Sequence, residues 1–184
     1  MKVTKTTLAG VKLIETDCFV DDRGYFKETW NRQRYLEKGF DESFVQDNFS
    51  FSKANVLRGL HFQNPQGQGK LVSTVQGEIF DVAVDIRPQS PQYKQWFGVI
   101  LNDKNHHQLY IPPGFAHGFC VVSETAMVSY KCTVHYLSIA EYCLRWDDPQ
   151  IGIDWPISNP ILSDKDAEGY LLENLPAGAI PSAN

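Results

Sequence analysis

The stretch Phe80-Asp81-Val82-Ala83-Val84-Asp85-Ile86 alternates large apolar side chains with small or acidic ones. Alternation at period two is the pattern of a strand with two unlike faces. It returns in Val128-Ser129-Tyr130-Lys131-Cys132-Thr133-Val134, and Phe97-Gly98-Val99-Ile100-Leu101 and Gln108-Leu109-Tyr110-Ile111 are shorter runs of strand type. Turn residues stand between them, at Gln76-Gly77 and at Asn102-Asp103-Lys104-Asn105. Many short strands predict an all-β sandwich or barrel. The aromatic content of 12% agrees, because aromatic rings suit pleated, half-buried surfaces. A helix is predicted over residues 32–38, with Asn31 as N-cap and Gly39 just past its end. A second short helix is predicted over 164–170, capped by Ser163. With 184 residues and neither a repeat nor a linker, residues 1–184 are expected to form one domain. The tail, 176–184, is expected to fray.

The net charge is −5, without a basic run or stripe, which argues against a nucleic-acid surface. The four cysteines, Cys18, Cys120, Cys132 and Cys143, form no Cys-x-x-Cys pair and are read as reduced thiols. The N-terminus lacks the apolar core of a signal peptide, and no apolar run is long enough to cross a bilayer. A soluble, cytoplasmic protein is expected.

Candidate chemistry begins at Pro112-Pro113-Gly114-Phe115-Ala116-His117-Gly118-Phe119. Pro-Gly suits a tight turn between strands, which would place His117 near the mouth of a barrel. The alternative is a plain β-turn followed by a core histidine. The Pro-x-Gly-x-x-His-x-Phe pattern looks like the second motif of the cupins, which are small jelly rolls. Metal-binding cupins carry a His-x-His pair in their first motif, whereas Leu60-His61-Phe62-Gln63 has Gln at the second place. Amides are poor ligands for transition metals, and His61 with His117 are too few, so no metal site is expected. His106 and His107 are read as solvated loop residues.

Six ordered segments carry a more specific likeness: Asp22-Arg23-Gly24-Tyr25-Phe26-Lys27-Glu28, Phe44-Val45-Gln46-Asp47-Asn48, Arg58-Gly59-Leu60-His61-Phe62-Gln63, Gly69-Lys70-Leu71-Val72, residues 80–87, and Pro113-Gly114-Phe115-Ala116-His117-Gly118-Phe119. Together they resemble the dTDP-4-dehydrorhamnose 3,5-epimerase family, from about Thr4 to Leu175, including Leu162-Ser163-Asp164-Lys165-Asp166. The resemblance implies a cupin-type jelly roll acting on dTDP-4-dehydro-6-deoxy-D-glucose in the dTDP-L-rhamnose pathway. C3 and C5 both flank the C4 ketone. Inverting them takes a base on one face, an acid on the other and a stabilising group at the ketone oxygen, with no cofactor.

Matched residue by residue, the resemblance assigns His61 as the base, Asp166 as its paired carboxylate, Tyr130 as the opposing acid and Lys70 as the enolate's cation. Tyr130 shares the apolar parity of Val128, Cys132 and Val134, so it should face the interior. Substrate binding falls to Arg23, Phe26, Glu28, Gln46, Asp47, Asn48, Arg58, His117, Tyr136, Glu141 and Lys165. Arg23 and Arg58 suit a pyrophosphate. Phe19, Phe26 and Tyr136 could stack on thymine or line the sugar pocket, Tyr136 foremost. The family's dimer, in which N-terminal strands cross to the partner, implies that Arg23, Phe26 and Glu28 serve the neighbouring subunit.

Arg58 and His61 have opposite parity on one strand, so Gly59 is expected to mark a bulge that lets both reach one pocket. Phe49 and His135 depart from the family's pattern. Four other readings stay open: an enzyme inverting only C3 or only C5, a ketoisomerase on a similar sugar nucleotide, a non-catalytic nucleotide-sugar binder, and, last, a metal-dependent cupin oxygenase.

Overall fold

The computed structural model describes residues 1–181. In chain order the strands are β1 (Lys2–Lys5), β2 (Lys12–Glu15), β3 (Cys18–Asp21), β4 (Gly24–Lys27), β5 (Gln46–Lys53), β6 (Leu57–Gln63), β7 (Lys70–Gln76), β8 (Glu78–Asp85), β9 (Trp96–Asn102), β10 (His107–Ile111), β11 (Phe115–Val121), β12 (Thr125–Cys132) and β13 (Glu141–Cys143). The helices are α1 (Arg32–Glu37) and α2 (Asp164–Ala167). One sheet runs β1-β2-β10-β7-β12-β5 and the other β13-β6-β11-β8-β9, while β3 and β4 form a separate hairpin. The fold is the all-β jelly-roll sandwich expected from the sequence.

Three apolar layers hold it. Between the sheets, Val72, Leu109 and Ile111 meet Ala83, Phe115 and Phe119. Outside the five-stranded sheet, Leu60, Phe62, Val82, Val84 and Ala116 are covered by Trp155, Leu172, Leu175 and Ala179. Outside the six-stranded sheet, α1 and its flanks lay Tyr35 and Phe40 on Ile14, Leu71 and Tyr110. Each large side chain sealed this way contributes about 1.5–3 kcal/mol. The alternation along β8 therefore separates two cores rather than core from solvent. Val82 and Val84 face the C-terminal segment, while Ile79 and Ala83 face the sandwich interior. Asp81 shares the inward parity and is fully buried.

The capping readings hold. The Asn31 side chain accepts from the Arg34 amide, and that of Ser163 from the Asp166 amide. The second helix stops at Ala167, short of residue 170. Tyr170 instead pairs with the chain beyond β13: its amide donates to the Cys143 carbonyl, and its carbonyl accepts from the Arg145 amide. The frayed-tail expectation is corrected for residues 176–181. Ala177–Ala179 form a 3-10 turn with Ala179 fully buried, and Asn64 Nδ2 donates to the carbonyls of Gly178 and Ile180. Residues 182–184, also included in that expectation, lie outside the described residues. The four cysteines are unpaired. No helix among the described residues is long and apolar enough to cross a membrane.

Candidate active site

A cavity of about 380 Å³ opens into the sandwich between the sheets. The six-stranded sheet supplies Gln46, Asn48 and Ser50 from β5, Lys70 from β7 and Tyr130 from β12. The five-stranded sheet supplies Arg58 and His61 from β6, and His117 and Phe119 from β11. Tyr136, Glu141 and Lys165 complete the rim.

Arg58 and His61 reach this one cavity because the ladder is irregular between them. His117 pairs with His61 and Phe119 with Arg58, so three steps on β6 span two on β11. The extra residue reverses parity, as expected for a bulge at Gly59. Gly59 has φ +123°, and a Cβ there would lie 2.5 Å from Gly118 Cα. Only paired glycines permit the approach.

His61 Nε2 lies 2.6 Å from Asp166 Oδ1. A carboxylate only accepts, so Nε2 carries the proton and Nδ1 keeps its lone pair. Ser163 Oγ donates to Asp166 Oδ2 at 2.9 Å. Burial alone would raise the Asp166 pKa, but the bonds from His61, Ser163 and the Gly59 amide outweigh it and hold the carboxyl below its ordinary value. The acid is thus an anion near neutrality, placed to orient the ring and able to stabilise an imidazolium.

Lys70 is buried, and its Nζ donates to the His61 carbonyl at 3.4 Å. Burial lowers its pKa. Burial raises that of Tyr130, which therefore stays protonated near neutrality. A protonated phenol, a buried lysine amine and an imidazole with a free lone pair in one cavity match the groups that enolate chemistry needs: a proton donor, an oxyanion partner and a proton acceptor. A second pair lies deeper. His117 Nε2 lies 2.7 Å from Asp81 Oδ1, both residues being buried. Burial lowers the His117 pKa, opposed by the Asp81 charge.

At the rim, Arg58 Nε donates to Ser52 Oγ at 3.0 Å and its NH2 group to the Phe51 carbonyl at 3.3 Å. These bonds fix the guanidinium in place for an anion. Tyr136 Oη donates to Glu141 Oε2 at 2.8 Å, and Lys165 Nζ lies 2.7 Å from the same oxygen. Gln63 turns out to tie this rim together. Its Nε2 donates to the Gln66 and His135 carbonyls, and its Oε1 accepts from the Leu137 amide. The residue that stands where metal-binding cupins have a ligand thus braces the Tyr136 loop.

Asp47 is not brought to this cavity. Period two puts Gln46, Asn48 and Ser50 in the cavity and turns Asp47 outward, where it pairs with Lys131 at 2.8 Å. Phe49 shares that outer face and is 60% exposed, and His135 is exposed, so both departures from the family's pattern lie off the cavity floor. Arg23, Phe26 and Glu28 do not line the cavity of their own chain. Arg23 pairs with Asp21 at the hairpin turn, Phe26 is 69% exposed, and Glu28 contacts Arg34. Ser50, Gln68 and Phe119 line the cavity and escaped the sequence reading. Parity with Asn48 would have found Ser50, and parity with His117 would have found Phe119.

Comparison with known proteins follows this geometry. The model of a family described as dTDP-4-dehydrorhamnose 3,5-epimerase matches residues 5–174. A Salmonella typhimurium protein named dTDP-4-dehydrorhamnose 3,5-epimerase is 51% identical over 176 residues, 94% of this chain and 96% of that one. A Streptomyces niveus protein named dTDP-4-dehydrorhamnose 3-epimerase is 36% identical over 185 residues, 99% of this chain and 89% of its own. The crystal structure of a Legionella pneumophila dTDP-6-deoxy-D-glucose-3,5-epimerase in complex with dTDP-4-keto-L-rhamnose superposes with a TM-score of 0.95. It shares 48% identity and covers 100% of this chain and 98% of that one.

Proposed function

The chain belongs to the dTDP-4-dehydrorhamnose 3,5-epimerase family, and from that membership we propose how its cavity performs the reaction. The enzyme converts dTDP-4-dehydro-6-deoxy-D-glucose to dTDP-4-dehydro-L-rhamnose by inverting C3 and C5. His61 Nδ1 takes the proton from the carbon beside the ketone. The electron pair delocalises onto the C4 oxygen, where the Lys70 ammonium meets the developing charge. Tyr130 returns a proton to the opposite face. The 2.6 Å contact between His61 and the buried, anionic Asp166 carries this reading. It leaves one imidazole lone pair for the substrate and a fixed charge behind it.

Arg58 takes the pyrophosphate, Tyr136 stacks on the thymine, and Gln46, Asn48, His117, Glu141 and Lys165 place the nucleotide and sugar. The β3–β4 hairpin is exposed at Phe19, Val20, Tyr25 and Phe26. A hairpin that exposes this much apolar surface supports a homodimer in which it is delivered, with Arg23 and Glu28, to the partner's cavity. On this reading residues 1–184 work as one cytoplasmic domain.

Solvent exchange tests the assignment. In deuterated buffer the substrate should gain label at both C3 and C5, followed by NMR. Label at one carbon alone would identify a mono-epimerase, and label at neither would refute the mechanism.

A further inference from the structure

We propose that His61, Cys143 and Asp166 form a binding site for a thiophilic divalent cation such as Zn2+, whose occupation switches off the base. The inhibition rests on His61 being the base, as proposed above, while the coordination rests on geometry alone.

Cys143 stands opposite His61 in the β13–β6 register. The neighbouring pair, Leu60 and Leu144, exchanges both backbone hydrogen bonds. His61 and Cys143 are therefore the non-hydrogen-bonded pair, whose side chains come closest. Helix α2 brings Asp166 in from a third side. The nitrogen, sulfur and oxygen donors all lie within 4.8 Å of one another. Zinc about 2.3 Å from sulfur and about 2.1 Å from nitrogen and oxygen, with tetrahedral angles, needs donors roughly 3.4–3.6 Å apart. Cys143 Sγ is already 3.7 Å from Asp166 Oδ1. The nitrogen–oxygen separation of 2.6 Å must widen, which follows once the proton between those atoms is lost. Three ligands from three elements leave a fourth position for water, as in open zinc sites.

The chemistry blocks the proposed step. A cation on Nε2 takes that lone pair, and the displaced proton settles on Nδ1. The thiol proton passes to solvent. With Nδ1 protonated, the imidazole has no lone pair left for a C–H proton. The reaction proposed above gives Cys143 no role, and burial pushes its thiol up to about 12, so it remains a thiol until a cation displaces the proton. Mg2+, which prefers oxygen ligands, should not compete.

Two readouts on the full-length protein test the site. Micromolar Zn2+ should suppress solvent exchange, excess chelator should restore it, and Mg2+ should do nothing. Cys143→Ser keeps a donor beside Asp166 and should raise the half-inhibiting Zn2+ concentration more than tenfold. Co2+ should give a thiolate-to-cobalt charge-transfer band with the native protein and none with the variant. Cys143→Ala serves as the second variant if circular dichroism shows that the serine protein is unfolded. Equal Zn2+ sensitivity of native and variant proteins, or a band that survives loss of Cys143, would overturn the site. A Cys143-dependent band without inhibition would confirm coordination and overturn His61 as the blocked base.

Discussion

Two histidine–carboxylate pairs sit on adjacent strands, with nearly equal bond lengths and different surroundings. His61 and Asp166 are joined at 2.6 Å, His117 and Asp81 at 2.7 Å. His61 is 26% exposed through its side chain, and both oxygens of Asp166 are hydrogen-bonded. His117 is buried in the cavity wall, and Asp81 Oδ2 has no hydrogen-bond partner among the described residues. The first pair has a supported anion and a ring that solvent and substrate can reach. The second has the same groups in a place where burial disfavours the imidazolium. The same pair of groups thus has two environments, which differ in solvation and in how the carboxylate is held.

The comparison breaks first at the bases. His61→Ala should reduce exchange at C3 and C5 by about 10³-fold, the usual worth of a general base, while dTDP binding measured by calorimetry stays close to native. Retention of most activity would remove His61 from the role. Asp166→Asn should cost about 10²-fold in kcat, because the ring loses the charge that orients it. Its stability effect has a defined sign. The folded pKa of Asp166 is depressed, so its contribution is full above the unfolded value of about 3.9 and is lost as pH falls through the folded value. Native and Asp166→Asn melting temperatures should therefore converge in acid.

Asp81→Asn should cost about tenfold or less and act mainly on KM, since an amide oxygen can still accept from His117. A loss equal to that of Asp166→Asn would mean that both pairs do chemistry. The smallest effect is on stability. Lys70 is held in the folded state with a lowered pKa, so its charged form is disfavoured there. Lys70→Met should raise the melting temperature, by roughly 2–4 °C for each kcal/mol relieved, while exchange falls. The gain should be greatest below the folded pKa of Lys70 and shrink as pH rises through it.

The strands, the turns at Gly77 and residues 102–105, and the caps at Asn31 and Ser163 could be read locally, because each rests on side-chain alternation or on one side chain bonding to a nearby amide. The second helix was overextended because Tyr170 is claimed by a strand that lies elsewhere in the chain. Asp47 lies off the cavity because a motif groups neighbours in sequence, whereas a strand sends them to opposite faces. The tail looked loose in composition, yet Ala179 joins the apolar cluster that includes Leu172 and Trp155, a contact that no local pattern reveals.

By itself the sequence determined the fold class and the reaction family, since period-two alternation and six ordered motifs are properties of the chain taken in order. Its resemblance to the family also proposed His61, Tyr130 and Lys70 for the roles of base, acid and cation. Only the tertiary structure paired His117 with Asp81 and decided which of the two rings is more open and which is buried. That choice depends on a bulge at Gly59, on α2 reaching back across 105 positions to His61, and on how much water each ring can meet. Solvation and long-range contact set a pKa, and neither is encoded in any short stretch of residues.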